Sequence, residues 1–170
     1  MPIPDFQSFI LPALKSASDG RERSLAEIRE TMAEGLGVTA EERKKLLPSG
    51  TQPVFNNRVN WACIYLDRAG LLKRPRRGWY QITEKGRELL EEAPRKIDVK
   101  FLKRYPEFLE FIGKKAAPGE TGQNGVEETN PEEALEAAYQ EIQENLAQEL
   151  VKAMKACSPD FFERLVIDVL

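Results

Sequence analysis

The sequence predicts a mainly α-helical protein, with a three-helix core, a β-hairpin after it and a C-terminal helical extension. Apolar residues recur at spacings of three and four, and helix-capping residues precede these stripes. Two short β-prone runs are joined by a Pro-Arg-Arg-Gly turn. With 170 residues, of which 41% are hydrophobic, the chain can build a sizeable core.

The first two helices follow from their apolar stripes and start signals. Residues 4–17 carry the first stripe, and Pro12 inside it predicts a kink or an early end. Ser24 and Glu27 form a capping box, so a second helix should begin there and run to about Gly35.

A short helix and a long third helix should follow. Thr39 and Glu42 repeat the capping arrangement and predict a short helix that ends before Pro48. The third main helix should run from about Pro53 to Ala69. Its predicted core face is formed by Phe55, Val59, Ala62, Cys63, Leu66 and Ala69. Its opposite face carries Asn57, Asn60, Trp61, Ile64 and Arg68, with Arg58 and Tyr65 on one flank.

The two β-prone runs, residues 71–74 and 79–83, predict the hairpin, and Thr83 can cap a further helix over 84–93. Residues 98–113 should form one or two short helices. Three helices followed by a hairpin are the parts of a winged helix-turn-helix, in which the third helix enters a DNA groove and the hairpin, or wing, lies along the DNA backbone. We expect this domain over residues 1–115.

The C-terminal part has a different organisation. Residues 116–130 are rich in Gly, Glu, Thr and Asn, and predict a flexible linker. Asn130 and Pro131 start an amphipathic connecting helix over 131–156, whose apolar stripe should pack on a neighbouring helix or on a second copy, giving a possible homodimer. Residues 157–170 start another amphipathic helix, which suggests a truncated domain.

Charge and composition favour some ligands of the protein and exclude some kinds of catalytic site. Residues 1–115 hold 22 Lys and Arg against 16 Asp and Glu, a net charge of +6, whereas residues 116–170 have a net charge of −9. The positive part favours a polyanion such as double-stranded DNA. The chain has no His, which excludes histidine-based catalysis and most zinc sites, and its 2 Cys indicate neither a disulfide framework nor a zinc site. No apolar run could span a membrane and no signal peptide is recognisable, so we expect a cytoplasmic protein.

The candidate DNA-binding residues lie on the wing and on the outward face of the third helix. The wing carries four cations suited to phosphate, namely Lys73, Arg74, Arg76 and Arg77, although such a run can also be a solvated turn. Asn57, Asn60 and Arg68 are suited to reading base edges, with Arg58 beside them; the alternative for the asparagines is a plain solvent face. Trp61 and Ile64 either lie under residues 98–113 or contact a ligand such as a base methyl group.

Several motifs, taken together, resemble the N-terminal region of the Mrr restriction proteins over residues 4 to about 92. They are Pro4-Asp5-Phe6-Gln7-Ser8, Leu46-Leu47-Pro48-Ser49-Gly50, Asn57-Arg58-Val59-Asn60-Trp61-Ala62, Ala69-Gly70-Leu71-Leu72 and Pro75-Arg76-Arg77-Gly78 leading to Ile82-Thr83-Glu84-Lys85-Gly86. The tail from Ser158 to Val166 resembles the first helix of the Mrr catalytic domain.

This resemblance implies the DNA-targeting module of a type IV restriction endonuclease, which cuts modified or methylated foreign DNA with a PD-(D/E)xK nuclease and magnesium. The Asp and the Glu/Gln-x-Lys of that nuclease have no counterpart in this sequence. We therefore expect no catalytic residues, no metal site and no cofactor here, and no cleavage by this chain alone. The alternative is a winged-helix transcriptional regulator or DNA-binding protein without nuclease activity.

Overall fold

The computed structural model describes residues 3–113 and 129–169, which are mainly helical and include a small antiparallel sheet. The helices are α1 (Ile10–Ser16), α2 (Leu25–Leu36), α3 (Ala40–Lys44), α4 (Val54–Arg68), α5 (Glu84–Glu91), α6 (Val99–Leu102), α7 (Pro106–Gly113), α8 (Pro131–Ala156) and α9 (Pro159–Val169). The strands are β1 (Arg23–Ser24), β2 (Leu72–Lys73) and β3 (Trp79–Ile82).

Local capping sets the helix starts as predicted. The Ser24 hydroxyl accepts a hydrogen bond from the Glu27 backbone N–H, the Glu27 carboxylate accepts one from the Ser24 N–H, and Thr39 and Glu42 do the same for α3. The expected break at Pro12 takes another form. A 3₁₀ turn over Phe6–Phe9 precedes α1, and Pro12 lies in the first turn of α1, where its missing N–H removes no helical hydrogen bond.

The predicted hairpin is present, and it belongs to a sheet of strand order β1-β3-β2. Leu72 pairs with Ile82 across the hairpin, and Ser24 of β1 pairs with Trp79 on the other edge of β3. Strand β1 was not predicted, because two residues are too few to display an alternating pattern.

The core lies between the 3₁₀ turn, α1, α2 and α4, with the sheet closing one side. Phe9 and Phe55 meet edge to face, with ring centroids 5.7 Å apart. Helix α7 packs on α4 through Tyr65, whose ring centroid lies 5.2 Å from that of Phe108 and 6.1 Å from that of Phe111. Residues 98–113 therefore fold back onto α4 at Tyr65.

Helix α8 contacts the rest of the described protein through its first residues. Asn130 caps it by accepting hydrogen bonds from the backbone N–H groups of Glu132 and Glu133. Beyond that contact its apolar stripe is exposed and consists of Leu135, Tyr139, Ile142, Leu146, Leu150 and Met154. Of the predicted linker 116–130, residues 116–128 lie outside the described residues, and the homodimer stays a prediction.

Candidate nucleic-acid interface

The hairpin between β2 and β3 presents its cations to solvent. Lys73, Arg74, Arg76 and Arg77 are all exposed. The guanidinium of Arg76 lies 3.8 Å from the ring centroid of Trp79, which is a cation–π contact. Arg76 also lies 3.8 Å from the Glu22 carboxylate, but both side chains are about half exposed, so this pair contributes little. Within residues 3–113 and 129–169, the other three cations have no carboxylate within ion-pair distance.

The wing is attached firmly to the end of α4. Gly70 adopts a left-handed φ of 72°, which turns the chain from α4 into β2. The Thr83 hydroxyl lies 2.7 Å from the Gly70 carbonyl oxygen and 3.0 Å from that of Leu71, and donates its hydrogen to them. The Leu71 N–H donates to the Leu66 carbonyl at 2.9 Å. Helix α4 and the hairpin are therefore held in a defined relative position.

The outward face of α4 is only partly open. Arg68 is exposed and its guanidinium lies 5.1 Å from the Phe111 ring centroid, while Asn60 is half-buried. Asn57, which the sequence placed on the outward face, is fully buried. Its position on α4 is as predicted, but the start of α8 covers it.

The carboxylate of Glu132 accepts hydrogen bonds from three neutral side chains at this face. Glu132 accepts hydrogen bonds from Asn57 Nδ2 at 2.6 Å, from Gln52 Nε2 at 2.6 Å and from the indole Nε1 of Trp61 at 3.1 Å. Asn57 in turn accepts a hydrogen bond from Asn130 Nδ2 at 2.7 Å. The amide of Asn57 is therefore satisfied on both sides although it is buried.

A second carboxylate pairs with Arg58 in a two-pronged geometry. Arg58 Nε lies 2.8 Å from Glu133 Oε1, and Arg58 Nη2 lies 2.9 Å from Glu133 Oε2. The two side chains are only 17% and 11% exposed. Next to this pair, Glu136 accepts hydrogen bonds from the backbone N–H of Ser49 at 3.1 Å and from its hydroxyl at 2.5 Å.

The sequence did not indicate Gln52, Glu132 or Glu133 as members of this cluster. The later glutamates of α8 lie on a solvated part of the helix, because all residues from 141 to 150 are exposed. The start signal at Asn130 and Pro131 predicted where α8 begins, but the local pattern does not indicate which residues the first turn contacts.

Trp61 and Ile64 are both half-buried. The Trp61 ring meets the edge of Tyr65 with centroids 6.0 Å apart and an interplanar angle of 88°. Burial raises the pKa of Tyr65 to about 12, so its hydroxyl stays protonated at neutral pH. Helix α7 thus covers Tyr65, whereas the indole N–H of Trp61 donates a hydrogen bond to Glu132.

Three further features of the described residues concern metal binding, membrane insertion and disulfide formation. Residues 3–113 and 129–169 contain no cluster of three or more Cys, Asp or Glu side chains that could hold a metal ion. Within the same residues, no helix has the length and apolar character needed to cross a membrane. Both cysteines are free thiols.

Comparison with known proteins identifies the family. The family model described as the Mrr N-terminal domain matches residues 6–92, about half of the chain. The chain is 29% identical over 184 aligned positions to the type IV methyl-directed restriction enzyme EcoKMrr of Escherichia coli strain K12, an alignment that covers 100% of this chain and 59% of that enzyme. The chain thus spans less than two thirds of the length of this relative. No solved structure matches it. The chain belongs to the Mrr N-terminal domain family, as its motifs indicated.

Proposed function

We propose that residues 1–115 form a winged-helix domain that binds double-stranded DNA and targets an Mrr-like restriction protein to modified DNA. The observation that carries this proposal is the exposed cationic hairpin fixed to the end of α4. The order α1, β1, α2, α4, β2, β3, with α3 inserted before α4, is compatible with a winged helix and supports the proposal.

The wing supplies the contact with the DNA backbone. Lys73, Arg74 and Arg77 are exposed and Arg76 is held against Trp79, so one hairpin carries all four cations. Phosphate binding needs positive charge with little fixed geometry, and each neutralised phosphate releases condensed counterions. This contact is independent of base sequence and sensitive to salt.

Helix α4 supplies the contact with base edges. Asn60 can form paired hydrogen bonds with adenine, and Arg68 can do so with guanine. Asn57 can join Asn60 only when the start of α8 has left it, because Asn57 is buried there. Arg58 and Trp61 lie on the same part of the helix. The relative is methyl-directed by its name, and Trp61 offers apolar surface that could cover a base methyl group in the major groove.

The remaining residues connect this domain to a nuclease. In this proposal the linker comprises residues 116–130 and the connecting helix comprises residues 131–156. The catalytic domain starts at residues 157–170. The exposed stripe of α8 joins two copies into a homodimer. By the family resemblance, cleavage and its magnesium belong to motif residues without a counterpart in this sequence, so the proposal assigns DNA binding alone to this chain.

The test is the salt dependence of binding to a duplex, measured by fluorescence anisotropy on the whole chain. The variant Arg76→Ala/Arg77→Ala should weaken binding to every DNA sequence alike and lower the slope of log K against log salt by up to about two units, at roughly 0.9 per phosphate contact. The control Arg95→Ala/Lys96→Ala removes two exposed charges outside the wing and should change the slope less. Absence of any salt-dependent binding by the unmodified chain would reject the function.

A further inference from the structure

We propose that the acidic helix start of α8, defined as Asn130, Glu132, Glu133 and Glu136, is an internal competitor of DNA. It binds the same α4 donors that the proposed function assigns to DNA, so base contacts require its release. The inference rests on the proposed function and adds a regulation of that site. In the described structure the part of the recognition surface formed by Asn57, Arg58 and Trp61 is closed by the protein's own carboxylates, while Arg68 stays exposed.

The chemistry of the contact is that of a DNA contact. Asn57 and Trp61 donate to Glu132, and Arg58 donates through two nitrogens to Glu133. DNA offers the same kind of partner, namely anionic phosphate oxygens and acceptor atoms on base edges. A carboxylate and a DNA acceptor cannot occupy the same donors at once, and their like charges repel. Binding of α8 and binding of DNA to this face are therefore mutually exclusive.

The closed arrangement is specific rather than a loose surface contact. Asn57 is completely buried by it, and the Arg58–Glu133 pair is largely shielded from water. Opening the contact exchanges these hydrogen bonds within the protein for hydrogen bonds to water. DNA can replace the lost acceptors of α4 while water solvates the released glutamates, so DNA is a suitable ligand to open it.

The wing cations are not part of this contact. Lys73, Arg74 and Arg77 stay exposed while Asn57 is covered. The chain can therefore meet any DNA through the wing and engage bases only after α8 has left α4. The apparent affinity is the intrinsic affinity reduced by the fraction of molecules in the open form.

The experiment compares two variants of the whole chain that remove the same charge from the same helix. Glu132→Ala/Glu133→Ala removes the contact, whereas Glu141→Ala/Glu144→Ala removes two exposed carboxylates further along α8. Duplex binding at fixed salt should tighten about tenfold or more for the first variant, because it releases the closed form. The second should tighten binding by less than about threefold, the effect expected of screened charge alone.

Equal tightening by both variants, or no tightening by either, would overturn the inference while leaving the proposed function standing. Loss of binding by Arg76→Ala/Arg77→Ala tests that function separately.

A second readout needs no α8 variant. Amide hydrogen exchange of the unmodified chain should become faster at Glu132 and Glu133 when saturating duplex is added, because release frays the first turn. Unchanged or slower exchange at these amides in the DNA complex would also overturn it.

Discussion

Gly86 lies so close to Leu71 that a Cβ atom on Gly86 would stand 2.3 Å from the Leu71 carbonyl oxygen and 2.8 Å from the Ile82 side chain. The close approach lets α5 sit directly on the hairpin. It complements the Thr83 hydrogen bonds at the same junction.

Replacing Gly86 with Ala should therefore destabilise the fold. The obstructing atom is backbone and cannot turn aside, so we expect a loss of about 1–3 kcal/mol in the free energy of unfolding. Gly35→Ala is the matched control, because Gly35 lies in α2 with nothing within 4 Å, and this change should stabilise the protein by roughly 0.5–1 kcal/mol. Urea denaturation measures both, and equal effects of the two substitutions would contradict the packing argument.

The capping box of α2 should make stability depend on pH. The hydrogen bond from the Ser24 hydroxyl holds the pKa of Glu27 below its ordinary value of 4.5. A lowered folded-state pKa adds stability above the ordinary value, and that stability is lost as the pH falls through the folded-state pKa. Unfolding free energies of the natural chain and of Glu27→Gln should therefore differ more near about pH 7 than near about pH 3. A difference that stays constant over this range would show that the charge of Glu27 contributes nothing.

If Trp61 covers a base methyl group, the chain should prefer a methylated duplex by only a modest factor. Burying one methyl is worth about 0.8 kcal/mol, which corresponds to a preference of about fourfold. Trp61→Ala should abolish the preference, whereas Trp61→Phe should keep part of it, because Phe retains an aromatic ring but has less surface than the indole and lacks the N–H that donates to Glu132. Titration of paired duplexes with and without methylated adenine or cytosine tests this. A full preference in Trp61→Ala would assign methyl reading to another surface.

The two thiols should differ in reactivity. Burial raises the pKa of Cys63 to about 12, and its side chain is inaccessible, so it should resist alkylation in the folded protein. Cys157 lies part-exposed near the end of α8 and should react. Mass spectrometry after brief treatment with iodoacetamide should find one label on the native chain and two after denaturation. Labelling of native Cys63 would indicate that the core opens at α4.

The sequence predicted those parts of the fold that depend on local chemistry. Both capping boxes, the hairpin and the core face of α4 follow from residues close together in the chain, and the structure contains them. Strand β1 was missed because its identity depends on pairing with β3. The burial of Asn57 was missed for the same kind of reason, since the acidic helix start comes from residues far along the chain.

Strand β3 has one partner that is near in sequence and one that is far. Its pairing with β2 closes a short turn, whereas its pairing with β1 joins Tyr80 to Arg23, between which α2, α3 and α4 lie in the chain. Closing a short loop costs less chain entropy, so the hairpin can form early and the β1 edge only after α1, α2 and α4 have assembled. Interactions that form late in folding act mainly on the unfolding rate. We expect the short strand β1 to govern how long the folded molecule persists, and to have little influence on how quickly it forms.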